Sequence, residues 1–187
     1  MSTDTALVVI DVQESFRHRP YWSDADVPAF IDRLQRLVDA AKTAGVPILQ
    51  VFHVDPEGAF SLESGHVRTL APLVITPRAV FHKSRHSALV GSGLGVWLTE
   101  HGIRNLLITG IRAEQCCETT TRHASDSGYA VDFVSDATLT FAMTDRTGRE
   151  WSAAEIKART ELVLEGRFAR IIDADTAIAS LSLRKAA

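Results

Sequence analysis

The sequence predicts an open three-layer α/β/α fold built on a mainly parallel sheet. Three observations point there. Strand-like and helix-like segments alternate along the chain. The strand-like segments are short runs that stay apolar throughout, as suits parallel strands buried on both faces. No repeat, low-complexity tract or linker interrupts the alternation, so residues 1–187 read as a single domain.

Leu7-Val-Val-Ile-Asp11 is the first such run and ends in an acid. Phe30, Leu34, Leu37, Val38 and Ala41 then recur at helical spacing. Asp26 or Pro28 starts that helix, and Gly45 sits just past its end. Val46-Pro-Ile-Leu-Gln-Val-Phe-His53 is the second strand, with Pro47 at a tolerated first position. Residues 55–69 are polar and loop-like. Ala79-Val-Phe-His-Lys83 is a shorter third strand, and a helix follows over residues 94–101, closed by Gly102. Asn105-Leu-Leu-Ile-Thr109 is the most strand-like run in the chain. It leads through Gly110 into a helical segment that ends at Gly128, a suitable residue for a helix C-terminus. Tyr129-Ala-Val-Asp-Phe-Val134 is another strand. Ser152-Ala-Ala-Glu155 has the form of a capping box before Ile156, Leu162 and Val163. Phe168-Ala-Arg-Ile-Ile172 is the last strand.

Composition removes several function classes. Hydrophobic residues make up 45% of the chain and charged residues 23%, which argues against general disorder. The formal net charge is -3 with both signs interspersed, so neither a nucleic-acid stripe nor a polybasic membrane patch is present. No signal-peptide pattern opens the chain and no apolar run approaches membrane-spanning length, so the expected compartment is the cytoplasm. Cys116 and Cys117 are adjacent, a spacing unsuited to a structural disulfide in a reducing compartment. A working thiol is the other use for such a residue.

In open parallel sheets, ligands bind at the carboxyl ends of the strands. That rule selects Asp11, Lys83 and the turn from Gly110 to Cys117, which all lie at or just after strand ends. Residues far apart in sequence thereby converge. Cys116 falls in the first turns of a helix, where free N–H groups and the helix dipole favour a thiolate and can hold an oxyanion. A carboxylate to take the thiol proton and a lysine to offset the anion complete the set, and Asp11 and Lys83 supply both. Neighbours on a helix point about 100° apart, so Cys117 cannot face the same pocket and reads as an inert buried residue.

Three segments carry a family resemblance. Leu7-Val-Val-Ile-Asp-Val-Gln13 followed by Phe16 resembles the N-terminal signature of the isochorismatase-like cysteine hydrolases. His82-Lys-Ser-Arg-His-Ser-Ala-Leu89 resembles their lysine segment. Residues 109–128, followed by Tyr129 and later by Asp136-Ala137, resemble their nucleophile segment, with Cys116 in the nucleophile position. The resemblance runs from Leu7 to Phe141 and implies a six-stranded parallel sheet flanked by helices. It implies that Asp11 is the general base, Lys83 the thiolate partner and Cys116 the nucleophile. A non-proline cis peptide at Ile111-Arg112 would aim a backbone N–H at the oxyanion. The implied reaction is attack on a carbonyl carbon, loss of an amine or ammonia, and hydrolysis of a thioester by water. It also implies a dimer or tetramer, with residues 145–150 as a polar excursion able to reach a neighbouring subunit.

Several positions bear on the ligand. Phe16, Tyr21 and Trp22, beyond the first strand, are candidate pocket walls, and His86, Arg112 and Gln115 are candidate substrate contacts. Arg112 favours a carboxylate, because its planar fork matches that geometry. Glu14-Ser15, Arg112 and Gln115 depart from the family's usual residues and leave the substrate open. The metal-binding nicotinamidase branch carries an acid two residues before a strand-end histidine. Val51 stands there before His53, and the histidines have no zinc-site spacing, so neither metal nor cofactor is expected. Gly91-Ser-Gly-Leu-Gly95 does not complete a dinucleotide fingerprint. Two other functions remain open: a vinyl-ether hydrolase of the isochorismatase type, and a non-catalytic or redox-responsive protein whose Cys116 reacts with peroxide.

Overall fold

The computed structural model describes residues 4–186. Its elements in chain order are β1 (Thr5–Ile10), α1 (Val27–Ala44), β2 (Ile48–His53), β3 (Ala79–Lys83), α2 (Leu94–Glu100) and β4 (Asn105–Ile111). After these come α3 (Glu118–Asp126), β5 (Ala130–Leu139), β6 (Met143–Thr144), β7 (Glu150–Trp151), α4 (Ala153–Leu164), β8 (Arg170–Ile172) and α5 (Ala174–Ala186). Six strands form one sheet in the order β3-β2-β1-β4-β5-β8, and every pair in it is parallel. No helix among the described residues is long and apolar enough to cross a membrane.

The continuous apolar run of β1 divides between two cores by strand alternation. Leu7 and Val9 pack with Phe30, Leu34, Leu37 and Val38 of α1 and with Leu181 of α5. Val8 and Ile10 face the other layer, with Leu94 and Leu98 of α2, Ala124 of α3 and Leu164 at the end of α4. The three layers follow from that period. Gly45 ends α1 in the left-handed region, and its N–H reaches the carbonyls of Ala41 and Lys42. Ser152 and Glu155 form the reciprocal cap of α4, with the Glu155 N–H donating to Ser152 Oγ at 3.2 Å.

Several elements depart from the sequence reading. β5 runs on to Leu139, past the expected Val134, because it bulges opposite β4 between Ile108 and Gly110 and resumes pairing beyond. Residues 145–149 form the tip of the β6–β7 hairpin, and Glu150 opens β7 opposite Thr144. The Asp145 carboxylate holds the tip by accepting from the N–H groups of Thr147 and Arg149 and from Trp151 Nε1. The sequence reading placed no helix after β8, yet α5 packs there against α1. Asp173 marks its start, accepting the Thr176 N–H at 2.7 Å.

Sequence order reverses on either side of β1, whose neighbours are β2 and β4. Such a switch point opens a crevice at the carboxyl edge. Along that edge the strands deliver Lys83, His53, Asp11 and, from β4, the turn to Cys116. Gly110 of β4 pairs with Ile10 of β1 at φ +126°, so close that a Cβ there would lie 1.9 Å from the Ile10 carbonyl oxygen.

Candidate active site

Asp11 leaves β1 with φ 53°, and its N–H donates to the Val51 carbonyl at 2.8 Å. This left-handed step turns its carboxylate into the crevice, where neither it nor the Lys83 ammonium retains side-chain exposure. Lys83 is the last residue of β3. Cys116 lies in a single π-helical turn, Ala113–Cys117, that joins β4 to α3, two residues short of the helix the sequence reading placed it in. The Ile111-Arg112 peptide bond is cis.

Lys83 Nζ is the hub. It lies 2.7 Å from Asp11 Oδ2 and 3.3 Å from Cys116 Sγ. It also lies 3.1 Å from His53 Nδ1 and 3.1 Å from the Arg85 carbonyl oxygen. The other ring nitrogen of His53 is 3.0 Å from Asp55 Oδ1, an arrangement that leaves Nδ1 as the acceptor for the ammonium. Gln13 clamps the same histidine by its backbone, accepting its N–H at 2.8 Å and donating to its carbonyl at 3.1 Å. The sequence reading set aside a metal role for His53 and did not place it in the catalytic cluster. Its place at the end of β2, beside two selected strand ends, was the available signal.

Burial and charge set the protonation of the cluster. Burial pushes the Asp11 carboxyl up from its ordinary range, and the Lys83 ammonium opposes that only in part. Burial pulls Lys83 down, but the negative partners Asp11 and Cys116 outweigh it and the net direction is up. The Cys116 thiol is pushed up to about 12, by burial first and the Asp11 charge second, against the pull of Lys83. These directions describe two acids that share one proton beside one cation; removing that proton leaves a buried net charge. The thiolate expected from the helix dipole is therefore not the resting form. A dipole contributes roughly 0.3–1 kcal/mol at an exposed terminus, and here burial and a neighbouring carboxylate oppose it.

The sign of this shift is testable. A thiol raised above its ordinary 9.0 stabilises the fold while protonated, and that contribution is lost as pH rises from 9 toward 12. Thermal melts should therefore fall more steeply between about pH 8 and 10.5 in the unmodified protein than in Cys116→Ala, by about 1 kcal/mol near pH 10. Parallel curves would contradict the assignment.

A cavity of about 450 Å³ opens above the cluster. Phe16, Tyr21, His86 and Gln115 line it, as does Phe60, which the sequence reading did not select. Phe16 meets Phe60 edge to face at 5.0 Å, and His86 Nδ1 lies 3.9 Å from Cys116 Sγ. Arg19, Asp55 and Arg85 are the charged residues of its rim. Trp22 lies outside the lining, half-buried against Phe141 at 5.2 Å, with its indole N–H donated to Asp24. Arg112 lies outside it as well. Its side chain is 5% exposed, 2.9 Å from Glu114 Oε1, and stacked 4.7 Å over the Tyr21 ring. Arg112 thus supports a wall of the cavity from behind.

Among the described residues, Asp11, His53 and Cys116 offer ligand atoms within 4.8 Å of one another, a cluster able in principle to hold a metal ion. Lys83 Nζ already sits against all three. A metal ion would have to displace that ammonium from its buried position. At position 51, two residues before His53, the side chain is a fully buried valine with no ligand atom to offer. The donor set fits a lysine-centred cluster better than a metal centre.

The family model of the isochorismatase domain matches residues 5–175. A solved structure from Burkholderia xenovorans, assigned to the isochorismatases, superposes with a TM-score of 0.88 at 33% identity, covering 98% of this chain and 90% of that one. Nicotinamidase 3 of Arabidopsis thaliana is 25% identical over 186 residues, 91% of this chain and 85% of that protein. Streptothricin hydrolase of Streptomyces noursei is 28% identical over 141 residues, 73% of this chain and 50% of that protein.

Proposed function

From the premise that this chain belongs to the isochorismatase family of hydrolases, we propose that it hydrolyses an amide-type C–N bond of a small molecule. The observation that carries this reading is the Lys83 ammonium, set between Asp11 Oδ2 at 2.7 Å and Cys116 Sγ at 3.3 Å on the floor of a cavity. The relatives named for hydrolysis of nicotinamide and streptothricin support the same bond class.

Asp11 takes the Cys116 proton as the sulfur attacks the carbonyl carbon. Its raised pKa makes it the stronger base for that task. Lys83 offsets the charge on sulfur, and backbone N–H groups of the turn after Ile111 hold the oxyanion. As the tetrahedral adduct collapses, the C–N bond breaks and Asp11 returns its proton to the leaving nitrogen. Water then attacks the thioester and passes a proton to Asp11. The acid product leaves, and the thiol recovers that proton. His53 acts through Lys83, holding the ammonium by the acceptor that Asp55 keeps free.

Cys116→Ala should reduce amide hydrolysis by about 10³-fold or more, since no nucleophile remains. Quenched wild-type reactions should contain a species heavier by the acyl group, localised to the Cys116 peptide by mass spectrometry. Hydrolysis that survives Cys116→Ala would overturn the thioester route and favour direct hydrolysis of a vinyl ether by water.

A further inference from the structure

The geometry points to a carboxylate subsite at Arg85, so that the preferred substrate is a short amide carrying a carboxylate away from the scissile bond. This deepens the amide-hydrolase reading and rests on it. The charges around the cavity are partnered, with one exception. Asp11 faces Lys83 at 2.7 Å. Asp55 faces His53 at 3.0 Å and Arg19 at 3.5 Å. Arg19 also covers the Phe60 ring at 4.5 Å. Arg85 lines the same cavity, and among the described residues its guanidinium makes only one bond, from Nη1 to the adjacent Ser84 carbonyl at 2.9 Å. It faces no carboxylate among the described residues.

Arg85 is exposed, but its backbone is tied to the catalytic cluster. The Arg85 carbonyl oxygen accepts a hydrogen bond from the Lys83 ammonium at 3.1 Å. The backbone that carries the free guanidinium is therefore fixed to the same ammonium that faces the nucleophile. A guanidinium so placed matches a carboxylate in a bidentate pair. Arg112, the arginine that the sequence singles out for this task, is taken up by Glu114 and the Tyr21 ring. Phe16, Phe60 and Tyr21 line the same cavity as Arg85 and Cys116, and the Phe16 and Phe60 rings meet edge to face. The cavity thus suits a flat or short apolar spacer between a carboxamide at the sulfur and a carboxylate at Arg85.

Binding separates this subsite from the chemistry. In a Cys116→Ala background, which performs no acyl transfer, succinamate and 4-carbamoylbenzoate are compared with their methyl esters by titration calorimetry. At least one acid should bind about tenfold or more tightly than its ester, the scale of a hydrogen-bonded charge pair. Adding Arg85→Ala should bring that ratio close to one, Arg85→Lys should keep part of it, and added salt should shrink it. Equal binding of acid and ester, no binding of either acid, or a ratio indifferent to Arg85→Ala would overturn the subsite. None of these readings depends on turnover, so failure of the thioester route shows separately, as hydrolysis that survives Cys116→Ala.

Discussion

Asp11→Asn is expected to lower turnover by about 10²–10⁴-fold while making Cys116 easier to alkylate near neutral pH. The two effects run in opposite directions because the carboxylate has opposite roles in them. As the base, it must take the thiol proton for attack to proceed. As a buried negative neighbour, it disfavours the thiolate through both its charge and its hydrogen bond to the sulfur. Asparagine keeps the shape and removes the charge, so the thiolate is left with the Lys83 ammonium at 3.3 Å and no competing anion. Iodoacetamide labelling against pH, read by peptide mass spectrometry, measures the shift. Cys117 is the internal control. It is fully buried, its thiol is also pushed well up, and it should stay slow in both proteins. If labelling of Cys116 in Asp11→Asn begins at the same or a higher pH, Lys83 does not hold its proton without Asp11, and the shared-proton account fails.

Gly110→Ala is expected to be the most damaging small substitution in the molecule. Its Cβ would stand 1.9 Å from the Ile10 carbonyl oxygen and 2.8 Å from the Ile10 carbonyl carbon and nitrogen. No side-chain rotation relieves that contact, since it is backbone against backbone, and φ +126° is a conformation L residues avoid. Either β1 and β4 separate at the pair Ile10–Gly110, or the chain does not reach this fold. A loss above about 4 kcal/mol belongs to this kind of mechanism. Gly45→Ala is the comparison. There φ is +71° and a Cβ meets nothing within 4 Å, so only the left-handed backbone is penalised, by about 1–2 kcal/mol. Similar melting temperatures for the two variants would show that the close approach is not what requires glycine at position 110.

Much of the architecture was legible because it depends on local period. The continuous run Leu7–Ile10 is buried on both faces of β1, and the spacing of Phe30, Leu34, Leu37 and Val38 is the buried face of α1. The strand-end rule also selected Asp11, Lys83 and Cys116 before any contact between them was known, because parallel sheets gather their carboxyl ends. What escaped the sequence depends on partners distant along the chain. Arg112 reads as a ligand contact, and only the meeting of Tyr21, Glu114 and Phe141 around it turns it into a wall support. His53 reads as a residue outside the catalytic set until Lys83 is seen beside it. The protonation of Cys116 follows from burial, which a helix-dipole argument does not include. The extension of β5 needed the bulge opposite Gly110, a register event that no single-strand pattern encodes.

The crowd of acceptors around Lys83 has a kinetic side. Four groups surround Nζ, namely Asp11 Oδ2, His53 Nδ1, the Arg85 carbonyl and Cys116 Sγ, and an ammonium has three protons. One acceptor is always unserved, and a neutral thiol, the poorest of the four, is the natural one to be left out. When the sulfur gains charge it becomes the best. The ammonium can then answer by spinning about its last carbon–nitrogen bond, trading one acceptor for another while every heavy atom stays in place. Lys83 is in this sense a rotor rather than a lever. The field at the sulfur can change within a single torsional hop, without a loop or a strand having to move. Arginine, with its donors fixed in one plane, has no equivalent motion.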